Sequence, residues 1–379
     1  MLWRSEWVKG KRMADVLRRH ILQTGLMAAV ASGAAGALVV RKNMGTLQEY
    51  GEWMASIRRL PDTATDLSQI VALATLAPNS HNTQPWTFRA AAGNRLLLQP
   101  DLNRRTPVVD PDDHHLFVSL GCAAETLAVA AKGLGWSCDM ETDASGEVTA
   151  SLGTGKARPD ALFPAIVDRQ STRSTYDARP VPIDDMIALV DAGTAPGINL
   201  ALMTEPRERS QMRDLIVAAN TAQTADPEFR AELKSWMRYN PTSAMNNGDG
   251  LLTAATGNPS LPDWIGPRAF DLFYDPDAET DKIAQQVTSS SGLAVFVAEE
   301  SGPQAWVQVG RVAQRFLLTA TARGIKSAFV NQPVEVAWMR PALAAMVGLP
   351  GQRPNLVVRF GYGPTLPYSP RRPVETVMA

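Results

Sequence analysis

Two short stretches concentrate side chains able to hold a charged, hydrogen-bonding ligand. The first runs from Leu76 to Phe88 and is dense in short donors and acceptors, followed by Trp86, a residue able to anchor a strand. Pro78, Asn79, Ser80 and Asn82 are its candidates for ligand contact. The second, Asp168 to Arg173, places Arg169, Ser171 and Arg173 at alternate positions. In extended backbone alternate side chains share one face, so these three can converge on a phosphate. Each stretch also has a plainer reading, the first as a capped loop between helix and strand, the second as a solvated strand face.

Other constellations carry less. His114 and His115 stand beside Asp110, Asp112 and Asp113. Their spacing fits no established ligand set, so no metal is expected there, and the run reads as a polar loop capping the next helix. No Gly-x-Ser-x-Gly elbow and no Gly-x-Gly-x-x-Gly turn occurs, which leaves hydrolase and dinucleotide-fold readings without their motifs. The net charge of -1, with no long basic run, argues against a nucleic-acid partner. Cys122 falls on an expected helix and Cys138 in the strand after it, so both are read as buried thiols and not as a disulfide.

An internal repeat organises the elements that must position these residues. Leu67, Ile70, Val71 and Ala74 make an apolar helical stripe that stops at Ala77-Pro78; Ile183, Met186, Ile187 and Val190 make another that stops at Ala195-Pro196. An asparagine follows each stop, Asn82 and Asn199. A second pair of helices, Gly121 to Gly135 and Gly310 to Gly324, is alanine-rich and ends on a capping glycine in both copies. The offset is larger for this pair, which locates an insertion at about 205–290, with a helix expected near Ala231 to Met237 and turn-forming Asn, Gly and Pro combinations around it. Such an excursion is often a lid over a site. Strands are expected at Arg95 to Gln99, Ile198 to Met203, Gly292 to Ala298 and Asn355 to Phe360. The class is α+β, with a first half at 47–155 and a second at 160–379.

The first 37 residues differ from the rest. Arg4, Lys9, Lys11, Arg12, Arg18 and Arg19 face only Glu6 and Asp15, a net of +4, and an apolar run from Ile21 to Val40 follows. Arg18-Arg19 before that run, and the small residues Ala35-Gly36-Ala37 within it, resemble a twin-arginine export signal over residues 1–37. Export machinery is then a partner, and the protein is extracytoplasmic or periplasmic. The alternative is a retained membrane anchor, since about 20 apolar residues just span a bilayer.

The Leu76 to Phe88 stretch, with its Ala-Pro, Asn, Ser and Gln-Pro-Trp, resembles the flavin loop of the nitroreductase family, and Arg169, Ser171 and Arg173 resemble that family's opening Arg-x-Ser-x-Arg element. Each element occurs once, in a different copy. That arrangement is similar to the fused Acg-like branch, from about residue 50 to the end. The resemblance implies a nitroreductase-like fold of two fused, pseudo-symmetric copies mimicking the family homodimer, monomeric, around one FMN. It implies FMN contacts from Arg169, Ser171, Arg173, Pro78, Asn79, Ser80 and Asn82, from Asn331 near the flavin ring, and from Arg372 (or Arg371) near the phosphate. The implied activity is an FMN-dependent oxidoreductase passing hydride from NADH or NADPH to a small electron-poor acceptor, a nitroaromatic or a quinone, with no catalytic side chain required. The rival reading is a flavin-sequestering protein whose lid keeps the site closed.

Overall fold

The computed structural model describes residues 43–61 and 66–379, so the expected signal over residues 1–37 lies outside the described residues. Helix α1 (Leu47–Ile57) opens on a capping box in which Thr46 and Glu49 each accept the other's backbone N–H. Helix α2 (Leu67–Ala74) is capped by Asp66 and buries Ile70, Val71, Leu73 and Ala74. Strands β1 (Trp86–Ala91) and β2 (Arg95–Pro100) precede the long helix α3 (His114–Gly133), and β3 (Trp136–Thr142), β4 (Val148–Thr154) and α4 (Leu162–Asp168) follow it.

The second half begins with α5 (Ile183–Gly193) and β5 (Ile198–Met203). The insertion then contributes α6 (Pro206–Ala225), α7 (Pro227–Ser235), the two-residue strand β6 (Met237–Arg238), α8 (Pro241–Asn247), the two-residue strand β7 (Leu251–Leu252), α9 (Gly266–Phe273) and α10 (Pro276–Thr288). The chain returns through β8 (Gly292–Ala298), the long helix α11 (Pro303–Ala322), β9 (Lys326–Phe329), α12 (Gln332–Glu335), α13 (Arg340–Met346) and β10 (Pro354–Gly361).

The two main sheets share one topology. The first has the order β1-β2-β4-β3 and the second β5-β8-β10-β9, antiparallel throughout. In each, a long helix follows the second strand and the fourth strand inserts between the second and third. One apolar core runs through both halves, joining Ile70, Trp86, Leu120 and Leu127 to Phe296, Val309, Phe316 and Phe360. The second sheet is sandwiched. Ala294, Phe296 and Ala298 of β8 enter this shared core, whereas Leu293, Val295 and Val297 point to a second core with Met212, Ile216 and Leu343.

The expected strands are present, with β2 reaching Pro100 and β10 spanning Pro354–Gly361. Three expectations need correction. The apolar stripe of α5 faces outward: Ile183, Ile187 and Val190 are 72%, 53% and 41% exposed. The helix instead packs through Leu189, Ala192 and Gly193, because Gly193 lets it approach Phe316 of α11. In the insertion, Asp226 caps a helix whose first residue is Pro227, so α7 starts four residues before the expected Ala231. His114 and His115 are not loop residues but the buried first two residues of α3.

Candidate functional site

The Leu76 to Phe88 loop leaves α2 through a strained path: His81, Asn82 and Gln84 all have positive φ, at 46°, 55° and 54°. Three anchors hold it. Asn79 Oδ1 accepts the backbone N–H of Gln84 at 2.8 Å. Asn82 Nδ2 donates to the carbonyls of Gly250 and Pro370, both at 3.0 Å. Gln84 donates to the Gly248 carbonyl at 2.8 Å and accepts the backbone N–H of Arg372 at 2.9 Å. Gly248 is required there, since a Cβ would stand 2.8 Å from the carbonyl oxygen of Arg371. The loop is thus clamped between the insertion and the C-terminal tail, and Trp86 beyond it is fully buried.

The second element lies alongside. After α4 the chain is extended, and Ser171 bridges Ser327 of β9. Arg359 of β10, itself fully buried, donates to the carbonyls of Thr172 at 3.0 Å and Ser174 at 2.9 Å, fixing the segment that carries Ser171 and Arg173. Tyr176 lies under the same guanidinium, 4.1 Å from ring centre to Cζ.

Between the two elements three buried arginines meet. Arg169 donates to the Leu76 carbonyl at 2.7 Å. Arg371 donates to the same carbonyl at 3.1 Å, to that of Ala77 at 3.2 Å and to Asn82 Oδ1 at 2.8 Å. Arg58 of the first half donates to the carbonyls of Val167 at 2.7 Å and Arg169 at 3.3 Å, and packs 3.9 Å over the Tyr368 ring. All three are buried, and among the described residues none forms an ion pair with a carboxylate. Burial, then the neighbouring guanidiniums, push Arg169 down to about 9 and Arg371 well below the usual arginine range; burial pushes Arg58 down to about 10. The Nε of each has no hydrogen-bond partner. Three buried cations with unused donors and no ion pair among the described residues suit an anion.

A cavity of about 1040 Å³ lies on the far side of the Pro78 loop from this cluster, and none of the three arginines lines it. Pro78, Asn79, Ser80, Ser171, Arg173 and Asn331 line it. Its roof is the insertion, through Phe229, Tyr239, Phe270, Phe273 and Tyr274 among others. Arg169 and Asn82 stand behind that wall in the arginine cluster. Asn331 spends its Oδ1 on the backbone N–H of Val357, at 2.8 Å. Arg372 lies elsewhere: it bonds the carbonyls of Gln84 at 3.3 Å and Thr376 at 2.9 Å and stands 4.0 Å from Asp101. The adjacent Arg371 takes the place in the cluster.

Histidines also reach the cavity. Burial, Arg173 and His115 push His81 down to about 4. For His115 burial opposes the charged form, but the Asp110 carboxylate at 3.6 Å and then that of Glu335 hold its pKa above the usual value. Burial raises Glu335, which accepts from Gln223 at 2.7 Å. Asp110, His114 and His115 bring ligand-capable atoms within 4.8 Å of one another. Those groups have other tasks: Asp110 caps α3 by accepting the N–H groups of His115 and Leu116 at 3.0 and 2.9 Å, and His114 Nε2 lies 3.0 Å from the Asn355 amide.

Reasoning from sequence passed over Arg58 and Arg359. Neither carries a motif in the sequence: Arg58 follows α1 and Arg359 lies within β10.

Comparisons with known proteins find relatives of one family. The model of the nitroreductase family matches residues 166–362. The relative named "Putative NAD(P)H nitroreductase Rv3131", from Mycobacterium tuberculosis strain H37Rv, is 30% identical over 331 residues, covering 84% of this chain and 92% of the relative. "Putative NAD(P)H nitroreductase acg" from the same strain is 24% identical over 339 residues, covering 84% and 97%. Among solved structures, FMN-dependent nitroreductase NfnB from Mycobacterium smegmatis in complex with NADPH is 19% identical, with a TM-score of 0.37 over 54% of this chain and 87% of that one. A nitroreductase from Bacteroides fragilis with bound FMN is 16% identical, with a TM-score of 0.34, covering 54% and 90%.

Proposed function

The chain belongs to the nitroreductase family, and from that premise we propose that it is an FMN-dependent oxidoreductase moving hydride from NADPH or NADH to a small electron-poor acceptor. The observation that carries this reading is the arginine cluster. Arg58, Arg169 and Arg371 are buried without a carboxylate partner among the described residues, and each keeps an unpaired Nε behind the wall of the cavity lined by Pro78, Asn79, Ser80, Ser171 and Arg173. A phosphate fits that charge deficit, with Arg169 and Arg371 as its ligands and Ser171 and Arg173 along the chain leading from it. Bound FMN would supply reversible hydride transfer. The protein's own residues bind and orient: the insertion covers part of the cavity, and the Asn331 amide fixes the turn beneath it.

We read the two halves as fused copies that build one site, supported by the identical order of the two sheets and by the contribution of one element from each half. The chain would then act as a monomeric pseudo-dimer. Export by a twin-arginine signal, and a periplasmic location, rest on the sequence of residues 1–37. Turnover is favoured over sequestration by one observation: Leu272 and Phe273 line the cavity and are also 76% and 49% exposed, so the cavity reaches the surface.

The test is an absorbance spectrum of the purified protein followed by anaerobic NADPH or NADH. Flavin bands that bleach support a working reductase. Bands that persist favour sequestration, and no flavin after soaking with FMN overturns the cofactor.

A further inference from the structure

Hydride transfer asks no side chain for help, but a carbonyl acceptor that receives a hydride still needs a proton. Most titratable groups on the cavity wall are unfit to give one. Burial, Arg173 and His115 push His81 down to about 4, so its ring is neutral at ordinary pH. His115 has its Nδ1 toward Asp110 at 3.6 Å, and its free Nε2 is buried. Burial pushes the Tyr239 and Tyr274 hydroxyls and the Cys122 thiol up to about 12, where the proton is held too tightly. Asp275 caps α10 by accepting the N–H groups of Asp277 and Ala278, and Glu279 stands 3.7 Å from Lys282.

Glu335 differs from all of these. It lines the cavity and is half-buried. Its Oε2 accepts from Gln223 of α6 at 2.7 Å, while among the described residues Oε1 has no hydrogen-bond partner and the carboxylate forms no ion pair. Its place in the cavity is fixed by α12, a single turn in which the Glu335 N–H bonds the Asn331 carbonyl at 2.9 Å. Residues four apart on a helix share one face, and Asn331 lines the same cavity. Asn331 is the residue expected near the flavin ring, so Glu335 stands one turn from where the hydride is exchanged. Burial raises its pKa above all; His115 of α3 and the Gln223 amide favour the carboxylate, Asp110 before α3 and Glu232 of α7 oppose it, and the balance lies above the ordinary value.

We propose that Glu335 is the acid that protonates the acceptor, a carbonyl compound of the quinone class bound against α12. The assignment rests on the oxidoreductase reading, in which NADPH or NADH is oxidised and supplies the hydride. A quinone that gains a hydride at one oxygen takes up two electrons and one proton and becomes a hydroquinone anion. The Glu335 O–H bond then breaks as an O–H bond forms at the anionic oxygen. Neutral hydroquinone and a Glu335 carboxylate result, and a proton from water restores the acid.

Two measurements on the full chain test this. In protein labelled with carboxyl-¹³C glutamate, the Glu335 signal, identified by its loss in Glu335→Gln, should titrate above the ordinary glutamate value of about 4.3 whether or not flavin is bound. Titration at or below that value would overturn the assignment, and this readout needs no turnover. The second measurement compares reoxidation of the reduced holoprotein by benzoquinone, which must be protonated, with reoxidation by ferricyanide, which accepts an electron alone. The ratio of the benzoquinone rate to the ferricyanide rate should fall as pH rises through the Glu335 titration, and Glu335→Gln should lower it roughly a hundredfold and remove its pH dependence. A ratio unchanged in Glu335→Gln would overturn the role of Glu335 alone, whereas a chain that takes up no FMN would overturn the oxidoreductase reading and this role with it.

Discussion

Gly121 and Gly310 meet where α3 crosses α11: a Cβ on either would fall 2.9 Å from the other's Cα and 2.0 Å from a carbonyl oxygen, that of Val307 or of Val118. The contact is reciprocal, as at a two-fold interface, although both residues belong to one chain. Around it Glu125 receives Arg315 at 2.8 Å and Arg311 at 3.2 Å, and Gln314 donates to Thr126 at 2.8 Å. Gly121→Ala is expected to lower stability by about 3 kcal/mol through overpacking, read as a lower urea midpoint at unchanged slope. An unchanged midpoint would mean that the helices separate freely.

Arg169→Ala and Arg371→Ala should each weaken FMN binding by roughly tenfold to a hundredfold, the worth of one charge-assisted hydrogen bond. Arg372→Ala should leave binding within about threefold, since Arg372 faces Gln84 and Thr376. Flavin titration of the three variants decides the matter; equal losses at 371 and 372 would contradict the assignment.

Asp249 joins the insertion to the first half, because Arg104 donates to its Oδ2 and Arg238 to its Oδ1. Asp249→Ala strands two largely buried guanidiniums and should cost roughly 3 kcal/mol. Limited proteolysis should then cut within residues 237–261 well before the rest of the chain unfolds. Cleavage as slow as in the parent protein would show that the insertion is held by its other contacts.

His81 gives a pH signature whose sign is fixed by burial. Its folded-state pKa is depressed to about 4, below the usual histidine value, so the unfolded chain binds the extra proton as pH falls from about 6.5 toward 4. Stability should fall with acidity across that window, by up to about 1.4 kcal/mol per pH unit for one group. His114, also depressed by burial, shares the window, so His81→Asn should flatten the slope of Tm against pH without removing it. Asparagine tolerates the positive φ at this position. A slope identical to that of the parent would exclude His81 from the effect.

Much of this molecule is legible in its residues because local rules govern those parts. The stop at Ala77-Pro78, the glycine ends of α3 and α11 and the alternating strands follow from backbone preference, and the observed elements lie close to the expected ones. The loop from Pro78 to Asn82 and the segment from Arg169 to Arg173 were likewise readable, and they come together although they are 90 residues apart in sequence. What was hidden depends on contacts that no local pattern encodes. Arg371 and Arg372 are neighbours of one type, and only the Gln84 clamp on the backbone of Arg372 decides which guanidinium turns inward. Arg58 joins the cluster across more than 100 residues. The outward stripe of α5 misleads for a related reason: its period is helical whichever face is buried, and Gly193 against Phe316 selects the other one.

The tail bears on how the chain is made. Phe88 of β1 donates its N–H to the Val377 carbonyl at 2.7 Å and accepts the N–H of Ala379 at 2.8 Å, while Arg371 and the Arg372 backbone hold the loop before β1. The loop from Pro78 to Asn82 leaves the ribosome early, yet its supports are nearly 300 residues downstream. A nascent chain shorter than this tail presents an edge strand without its neighbour and a positive-φ loop without its clamp. Cofactor capture is therefore expected only once Arg371 and the strand-pairing residues Val377 and Ala379 are in place, and loss of residues 370–379 should disable a site whose other parts lie at 78–82 and 169–173.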